Sequence, residues 1–176
     1  VAFINPNVGW LTSVAELDSS KIRGSIIART TDGGNTWNTF SNYDYAYKFS
    51  NNVRVKFIDT KTGWAVGPWL LYKTTDGGNS WNKQNPSSYN REFFGGYFID
   101  KNTGWIVGNV STIDKTTNGG NTWIIQHSSD DNFLFDINFI NSNIGWAVGG
   151  AGLILKTVDG GTTWMDKNVG KNIYLE

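Results

Sequence analysis

The sequence predicts an all-β protein: a β-propeller of four-stranded antiparallel blades, with four repeats in this chain. Three observations carry that expectation. A segment ending in Trp recurs four times, as TTDGGNTW (30–37), TTDGGNSW (74–81), TTNGGNTW (116–123) and TVDGGTTW (157–164). A Gly-Trp pair precedes each copy, at Gly9-Trp10, Gly63-Trp64, Gly104-Trp105 and Gly145-Trp146. The segment tryptophans Trp37, Trp81, Trp123 and Trp164 stand 44, 42 and 41 residues apart, and a period of about 40–45 residues is that of a propeller blade. Helical repeats of similar length do not fit. No segment carries apolar residues at i, i+3 and i+4 over three turns, and Gly-Gly recurs where a helix would have to continue.

The fourth repeat shows the unit most clearly. Residues 133–140 form strand A, 145–149 strand B, 153–157 strand C and 163–167 strand D. Each run is short, rich in β-branched and aromatic residues, and bounded by Gly, Asn and Asp. The second repeat follows the same plan at 53–58, 63–67, 70–74 and 80–83, and the third at 93–99, 104–108, 112–116 and 122–126. The first repeat departs from it, with a B–C connection stretched from Ala15 to Gly24. The expected blades are therefore 1–41, 52–84, 93–127 and 133–167.

Residues 172–176 begin or close a further strand. Joined head to tail, the termini read NIYLE-VAFIN, which aligns with NFLFDINFIN at 132–141. Three arrangements follow: a closed ring of four blades, a four-blade part of a larger ring, or self-association of two chains to complete a propeller. The start at Val-Ala-Phe-Ile-Asn carries neither an initiator Met nor the basic region and apolar core of a signal peptide. A mature or excised piece of a longer product is the expectation.

Composition narrows the function classes. Lys and Arg together equal Asp and Glu together, 15 each, so there is no basic surface for nucleic acid and no polybasic membrane anchor. No apolar run reaches the ~18 residues of a membrane-spanning helix, so no membrane insertion is expected. Cysteine is absent, which leaves neither a disulfide frame nor thiolate chemistry. An extracellular or cell-surface location in a bacterium is the expectation, and no cofactor or metal is expected.

The recurring segment reads as a turn. Asp32, Asp76 and Asp159 each precede Gly-Gly, where a carboxylate accepts backbone N–H groups and glycines take positive φ. The third copy carries Asn118, a substitution that suits local hydrogen bonding and not acid–base or metal chemistry. Trp81, like Trp37, Trp123 and Trp164, opens the next strand and buries its ring between blades. The pattern T-x-D-G-G-x-T/S-W resembles the Asp-box, or BNR repeat, of sialidases, xyloglucan-active glycosidases and sortilin-type receptors. The longer unit, F-I-D-x-x-T-G-W-x-V-G followed by K-T-T-D-G-G-x-S-W, is similar to the repeats of the photosystem II stability and assembly factor family. The resemblance covers all four units. It implies a propeller, and a structural role for Asp32, Asp76, Asn118 and Asp159.

In an antiparallel blade the A–B and C–D turns share one face, and the B–C and D–A loops share the other. The A–B turns are uniform and the C–D turns are the boxes, so irregularity gathers on the opposite face. There stand Trp69, the Tyr43, Tyr45 and Tyr47 series, and Tyr89 with Arg91. Variable loops on a rigid scaffold are where binding resides. The tyrosine series reads equally as an edge segment packed on a neighbouring blade. Aligning strands A on Phe57, Phe98 and Phe139 puts Arg54, Gly95, Asp136 and Glu176 in register near the propeller axis, as an ion pair or as a small-anion or sugar site.

No catalytic residue is predicted. A sialidase needs an Arg cluster on its substrate carboxylate, and the chain has four Arg, without a motif to join them. A glycosidase needs two carboxylates at a set separation; Asp44, Asp130 and Asp131 are the unassigned candidates, and nothing pairs them. Motifs for phosphate binding, zinc proteases and serine hydrolases are absent. His127 is the only histidine, and a lone histidine is more often a surface residue than a catalytic base. The expected function is a non-catalytic binding or scaffold module acting on a protein partner, as the assembly-factor resemblance implies. The alternatives are an extracellular propeller that binds a polysaccharide and part of a glycosidase- or sialidase-type enzyme.

Overall fold

The computed structural model describes residues 1–16, 23–41, 53–86, 92–129 and 132–167. Four antiparallel sheets of four strands make it up, each in sequence order. The first holds β1 (Ala2–Phe3), β2 (Gly9–Glu16), β3 (Arg23–Thr30) and β4 (Asn38–Ser41), and the second β5 (Arg54–Phe57), β6 (Gly63–Gly67), β7 (Leu70–Thr74) and β8 (Asn82–Lys83). The third holds β9 (Phe93–Phe98), β10 (Gly104–Gly108), β11 (Ile113–Thr116) and β12 (Ile124–His127), and the fourth β13 (Leu134–Phe139), β14 (Gly145–Gly149), β15 (Ile154–Thr157) and β16 (Met165–Asp166). A 3-10 turn, Gly150–Gly152, joins β14 to β15. The sheets are propeller blades. The chain divides into two units, Val1–Lys83 with blades 1 and 2, and Gln84–Glu176 with blades 3 and 4.

Two details differ from expectation. Ala15 to Gly24 is not simply an elongated loop: β2 and β3 stay paired as far as Ala15↔Gly24 and Glu16↔Arg23, which makes this the longest hairpin among the described strands. The fourth strands start later than Ser80, Thr122 and Thr163, at Asn82, Ile124 and Met165. The cause is local. The N–H groups of Ser80, Thr122 and Thr163 are bound to the box side chains Asp76, Asn118 and Asp159, and so are withdrawn from the sheet ladder. The box tryptophans consequently precede their strands.

A Phe–Gly pair recurs between the first two strands of each blade: Phe3↔Gly9, Phe57↔Gly63, Phe98↔Gly104 and Phe139↔Gly145. The Phe ring lies across the glycine, so a Cβ on Gly63 would sit 2.5 Å from the Phe57 ring and one on Gly145 2.6 Å from Phe139. The glycine of Gly-Trp is thus a packing requirement.

The adjacent tryptophan joins blades. In unit 1, Trp10 of blade 1 stacks on Phe57 of blade 2 with centroids 3.5 Å apart. In unit 2, Trp105 of blade 3 stacks on Phe139 of blade 4 at 3.8 Å. The box tryptophans meet the same Phe residues edge-on and inside their own blades, Trp81 on Phe57 at 5.9 Å and Trp164 on Phe139 at 6.0 Å. Each unit has its own apolar core: Trp10, Ile27, Val55, Ala65 and Tyr72 lie in one, and Trp105, Val107, Leu134, Ile137 and Leu155 in the other.

Candidate functional site: the loop face of the blades

The boxes must be understood first, because they carry most of the well-placed carboxylates. In blade 2 the buried Thr74 hydroxyl donates to Asp76 Oδ1 at 2.8 Å and accepts the Gly78 N–H at 2.8 Å. Asp76 Oδ1 also accepts the Ser80 N–H at 2.9 Å, and Oδ2 accepts the Ser80 hydroxyl at 2.6 Å. Asp32 and Asp159 make the same set with Thr30 and Thr36, and with Thr157 and Thr163. In blade 3 the geometry is kept with one donor reversed. Asn118 Nδ2 donates to Thr122 Oγ1 at 2.8 Å while Oδ1 still accepts the Thr122 N–H.

The three box carboxyls are held at about 2, well below their ordinary value. The main cause is the hydroxyl donor, Thr36, Ser80 or Thr163, reinforced by the backbone N–H of that same residue. Carboxylates so engaged are turn elements, not proton-transfer groups. Among the described residues no cluster of His, Asp and Glu is arranged to hold a metal ion. His127 lies half-buried on β12, and burial pushes its imidazole below the usual value.

The other end of the blades is built differently. Each B–C turn of blades 2, 3 and 4 holds non-glycine residues in the left-handed region: Trp69 at φ 60°, Val110 and Ser111 at 55° and 47°, and Ala151 at 52°. Trp69 follows Pro68 in a two-residue turn between Gly67 and Leu70, at a position that normally takes glycine or asparagine. Its ring is 38% exposed. A bulky residue held in that conformation is the kind of strain that gathers at binding sites.

In unit 2 the turns and strand entries are tied together by backbone. Ser111 gives both its N–H and its hydroxyl to the Asn132 carbonyl, at 2.6 and 3.0 Å. Ser129 N–H donates to Val110 O at 3.0 Å, and Gly150 N–H to Phe133 O at 2.9 Å. On this braced edge lies an aromatic cluster that the sequence reading passed over. Phe94 meets Phe133 at 6.1 Å and Phe135 at 6.0 Å, and Phe133 stacks on Phe135 at 6.4 Å. Phe133 is 51% exposed and Phe135 43%.

Two β-bulges produce this cluster. The register of β9 on β10 slips between Phe93↔Gly108 and Gly95↔Val107, leaving Phe94 without a partner. The register of β13 on β14 slips likewise between Leu134↔Gly149 and Asp136↔Val148, leaving Phe135 without one. A bulge re-aims the side chain it carries. Leu134 goes to the core while its aromatic neighbours go outward.

Beside them, Gly95 and Asp136 come together as their common register suggests. A Cβ on Gly95 would lie 2.8 Å from Phe135 O and 3.1 Å from Asp136 Oδ1, so the bare glycine lets the two first strands approach. Asp136 is exposed, and its Oδ1 accepts the Ile137 N–H at 3.0 Å. Arg54 is exposed at the start of β5 in the other unit. Tyr43, Tyr45, Tyr47, Tyr89, Arg91 and Glu176, with Asp44, Asp130 and Asp131, lie outside the described residues. The alternation in Phe133-Leu134-Phe135, and a Phe at both 94 and 135 where blade 2 has Val53, were the available signals for the cluster.

Four-stranded blades closed by this hydroxyl–carboxylate turn define a protein of the BNR-type β-propeller class. Residues 125–174 match the family described as photosynthesis system II assembly factor YCF48, and the chain is related to that factor through this repeat. YCF48 bound to D1 peptide shares the fold, at 18% identity and a TM-score of 0.55 over 94% of this chain and 80% of that one. So do two glycoside hydrolases: the Niastella koreensis GH74 enzyme (17% identity, TM-score 0.59, 82% of this chain) and an ancestral GH74 enzyme (16%, 0.62, 92%). This chain spans 26% and 24% of those two chains. Comparison with curated proteins finds no significant sequence match. At these identities the structural likenesses show the fold alone.

Proposed function

We propose that this chain is a non-catalytic recognition module that binds a peptide segment of a protein partner on its loop face. The observation that carries this reading is the Phe94–Phe133–Phe135 cluster, two of whose rings stand about half exposed on a backbone-braced edge. Exposed aromatic anchors are the residue type that dominates interface energetics. Asp136 beside them favours a partner segment that sets an apolar side chain next to a basic one. The likeness to YCF48, solved with a D1 peptide, supports a peptide as the kind of ligand.

A test is selection of displayed peptides against the chain, followed by affinity measurement on Phe133→Ser and Phe135→Ser. Burying one Phe contributes about 1.5–3 kcal/mol, so each variant is expected to weaken the selected peptides by about tenfold or more. Unchanged affinities for both variants would overturn the reading.

A second reading, carbohydrate recognition through Trp69, is favoured by that residue's exposure and constrained turn and by the GH74 likeness. Glycan-array binding lost in Trp69→Ala would favour it. An empty array would remove it.

A further inference from the structure

Neighbouring blades within each unit are fastened by one repeated device. The Gly-Trp tryptophan and the basic residue opposite it on the third strand form the donor side. The next blade's first-strand Phe and its box form the acceptor side. In unit 1, Trp10 stacks on Phe57 and its indole N–H donates to Gly77 O at 2.9 Å, while Arg29 Nη1 donates to Asn79 Oδ1 at 2.9 Å. In unit 2, Trp105 stacks on Phe139 and lies over Gly161, while Lys115 Nζ donates to Gly160 O at 2.8 Å. The Asp159 carboxylate raises the Lys115 pKa against the larger lowering effect of burial. The first-glycine carbonyl of the box thus receives an indole in one unit and an ammonium in the other.

One donor side and one acceptor side stand open. On blade 4, Lys156 lies opposite Trp146, its Nζ 5.2 Å from the ring centroid, as Lys115 lies 5.2 Å from Trp105. Yet neither Trp146 nor Lys156 donates to a described residue, and Trp146 is only half-buried where Trp10 and Trp105 are 0% exposed. On blade 1, Phe3 is 49% exposed, against 2% for Phe139 under its stacked Trp105. Gly33 O, the counterpart of Gly77 O and Gly160 O, accepts from no described residue. The neighbours of a Cβ built on Gly33 or Gly34 are Pro6 O and Trp37 alone, whereas Gly78 lies against Trp10. The free donors match the free acceptor, the free indole face matches the bare Phe, and the Lys156 cation matches the Asp32 carboxylate.

We propose that the Trp146–Lys156 side of blade 4 docks on the Phe3–Gly33 side of blade 1 in a second copy of this chain. The junction repeats the contact seen between blades 1 and 2 and between blades 3 and 4. Trp146 stacks on Phe3, and Trp146 or Lys156 donates to Gly33 O. The contact is heterologous, since donor and acceptor sides differ, and two copies joined head to tail make two identical junctions. Eight blades lie within the range that propellers reach. The net charge of zero opposes no such association.

Sedimentation velocity over a concentration series tests this on the 176-residue chain. The expected result is a species of twice the 19.6 kDa chain mass. Lys156→Glu sets a carboxylate against Asp32 and is expected to raise the dissociation constant by at least about tenfold. Adding Asn35→Lys, an exposed box position equivalent to the Asn79 that receives Arg29, is expected to restore association. Both positions are on the surface, and circular dichroism checks that the variants fold. A chain that stays monomeric at 100 µM overturns the proposal, including the case where its own blade 1 occupies the site. A dimer that neither Lys156→Glu nor Trp146→Ala weakens overturns it too.

Discussion

The rings of Phe94 and Phe135 lie 6.0 Å apart, and each belongs to the bulged residue of its strand. The same irregularity at the same place in neighbouring blades sends both side chains out of the ladder. Phe135 and Leu134 therefore have opposite fates despite being adjacent. Phe135→Ala is expected to leave stability within about 0.5 kcal/mol, as for an exposed site. Leu134→Ala, at a fully buried position, is expected to cost about 2–5 kcal/mol. Urea denaturation of the pair measures the contrast, and equal losses would show that the Phe135 ring packs inward.

Gly63→Ala should destabilise blade 2 by about 1–3 kcal/mol, because a Cβ there would overlap the Phe57 ring at 2.5 Å. The ring has little room to retreat, with Trp10 stacked on it at 3.5 Å. Adding Phe57→Leu should recover part of the loss. A thermal melt in which Gly63→Ala matches the parent would remove this account of the Gly-Trp signature.

Inside the box the decisive group is the buried threonine hydroxyl. Thr74→Val removes the acceptor of the Gly78 N–H and the donor to Asp76, and is expected to cost about 1–3 kcal/mol. Asp159→Asn, in contrast, recreates the arrangement that Asn118 already sustains, and should unfold at nearly the parent midpoint at neutral pH. If Asp159→Asn proves as damaging as Thr74→Val, the box needs its negative charge and not merely its hydrogen bonds.

The pH dependence follows from the same three carboxylates. Asp32, Asp76 and Asp159 are lowered from 3.8 to about 2 in the folded chain, chiefly by hydroxyl donors. A depressed folded value adds stability that is fully present above the unfolded value and is lost as pH falls through the folded one. Stability should therefore decline between about pH 4 and pH 2. Asp159→Asn should make that decline shallower in an acid titration followed by tryptophan fluorescence. An acid limb of unchanged steepness in Asp159→Asn would show that other carboxylates govern it.

The sequence alone determined the blade. Repeats reveal themselves because every blade solves the same local problems: a hydroxyl and a carboxylate closing a turn, two glycines at positive φ, and a bare glycine beneath a Phe ring. These are contacts between residues close in sequence or in a fixed hairpin register, so their chemistry is written in the spacing. The position of Gly95 beside Asp136 was legible for the same reason, since equal register in neighbouring blades puts first strands together.

Tertiary structure alone decided which aromatic side chains reach solvent and which blade faces stand open. The pattern Phe133-Leu134-Phe135 is equally consistent with either face inward, and only the bulge in pairing with β14 selects Leu134 for the core. Likewise Trp10, Trp105 and Trp146 share one motif, yet Trp146 lacks among the described residues the Phe and box carbonyl on which such a ring rests. A motif specifies what a side chain can pair with. Burial, and so energy, depends on whether a partner stands opposite it.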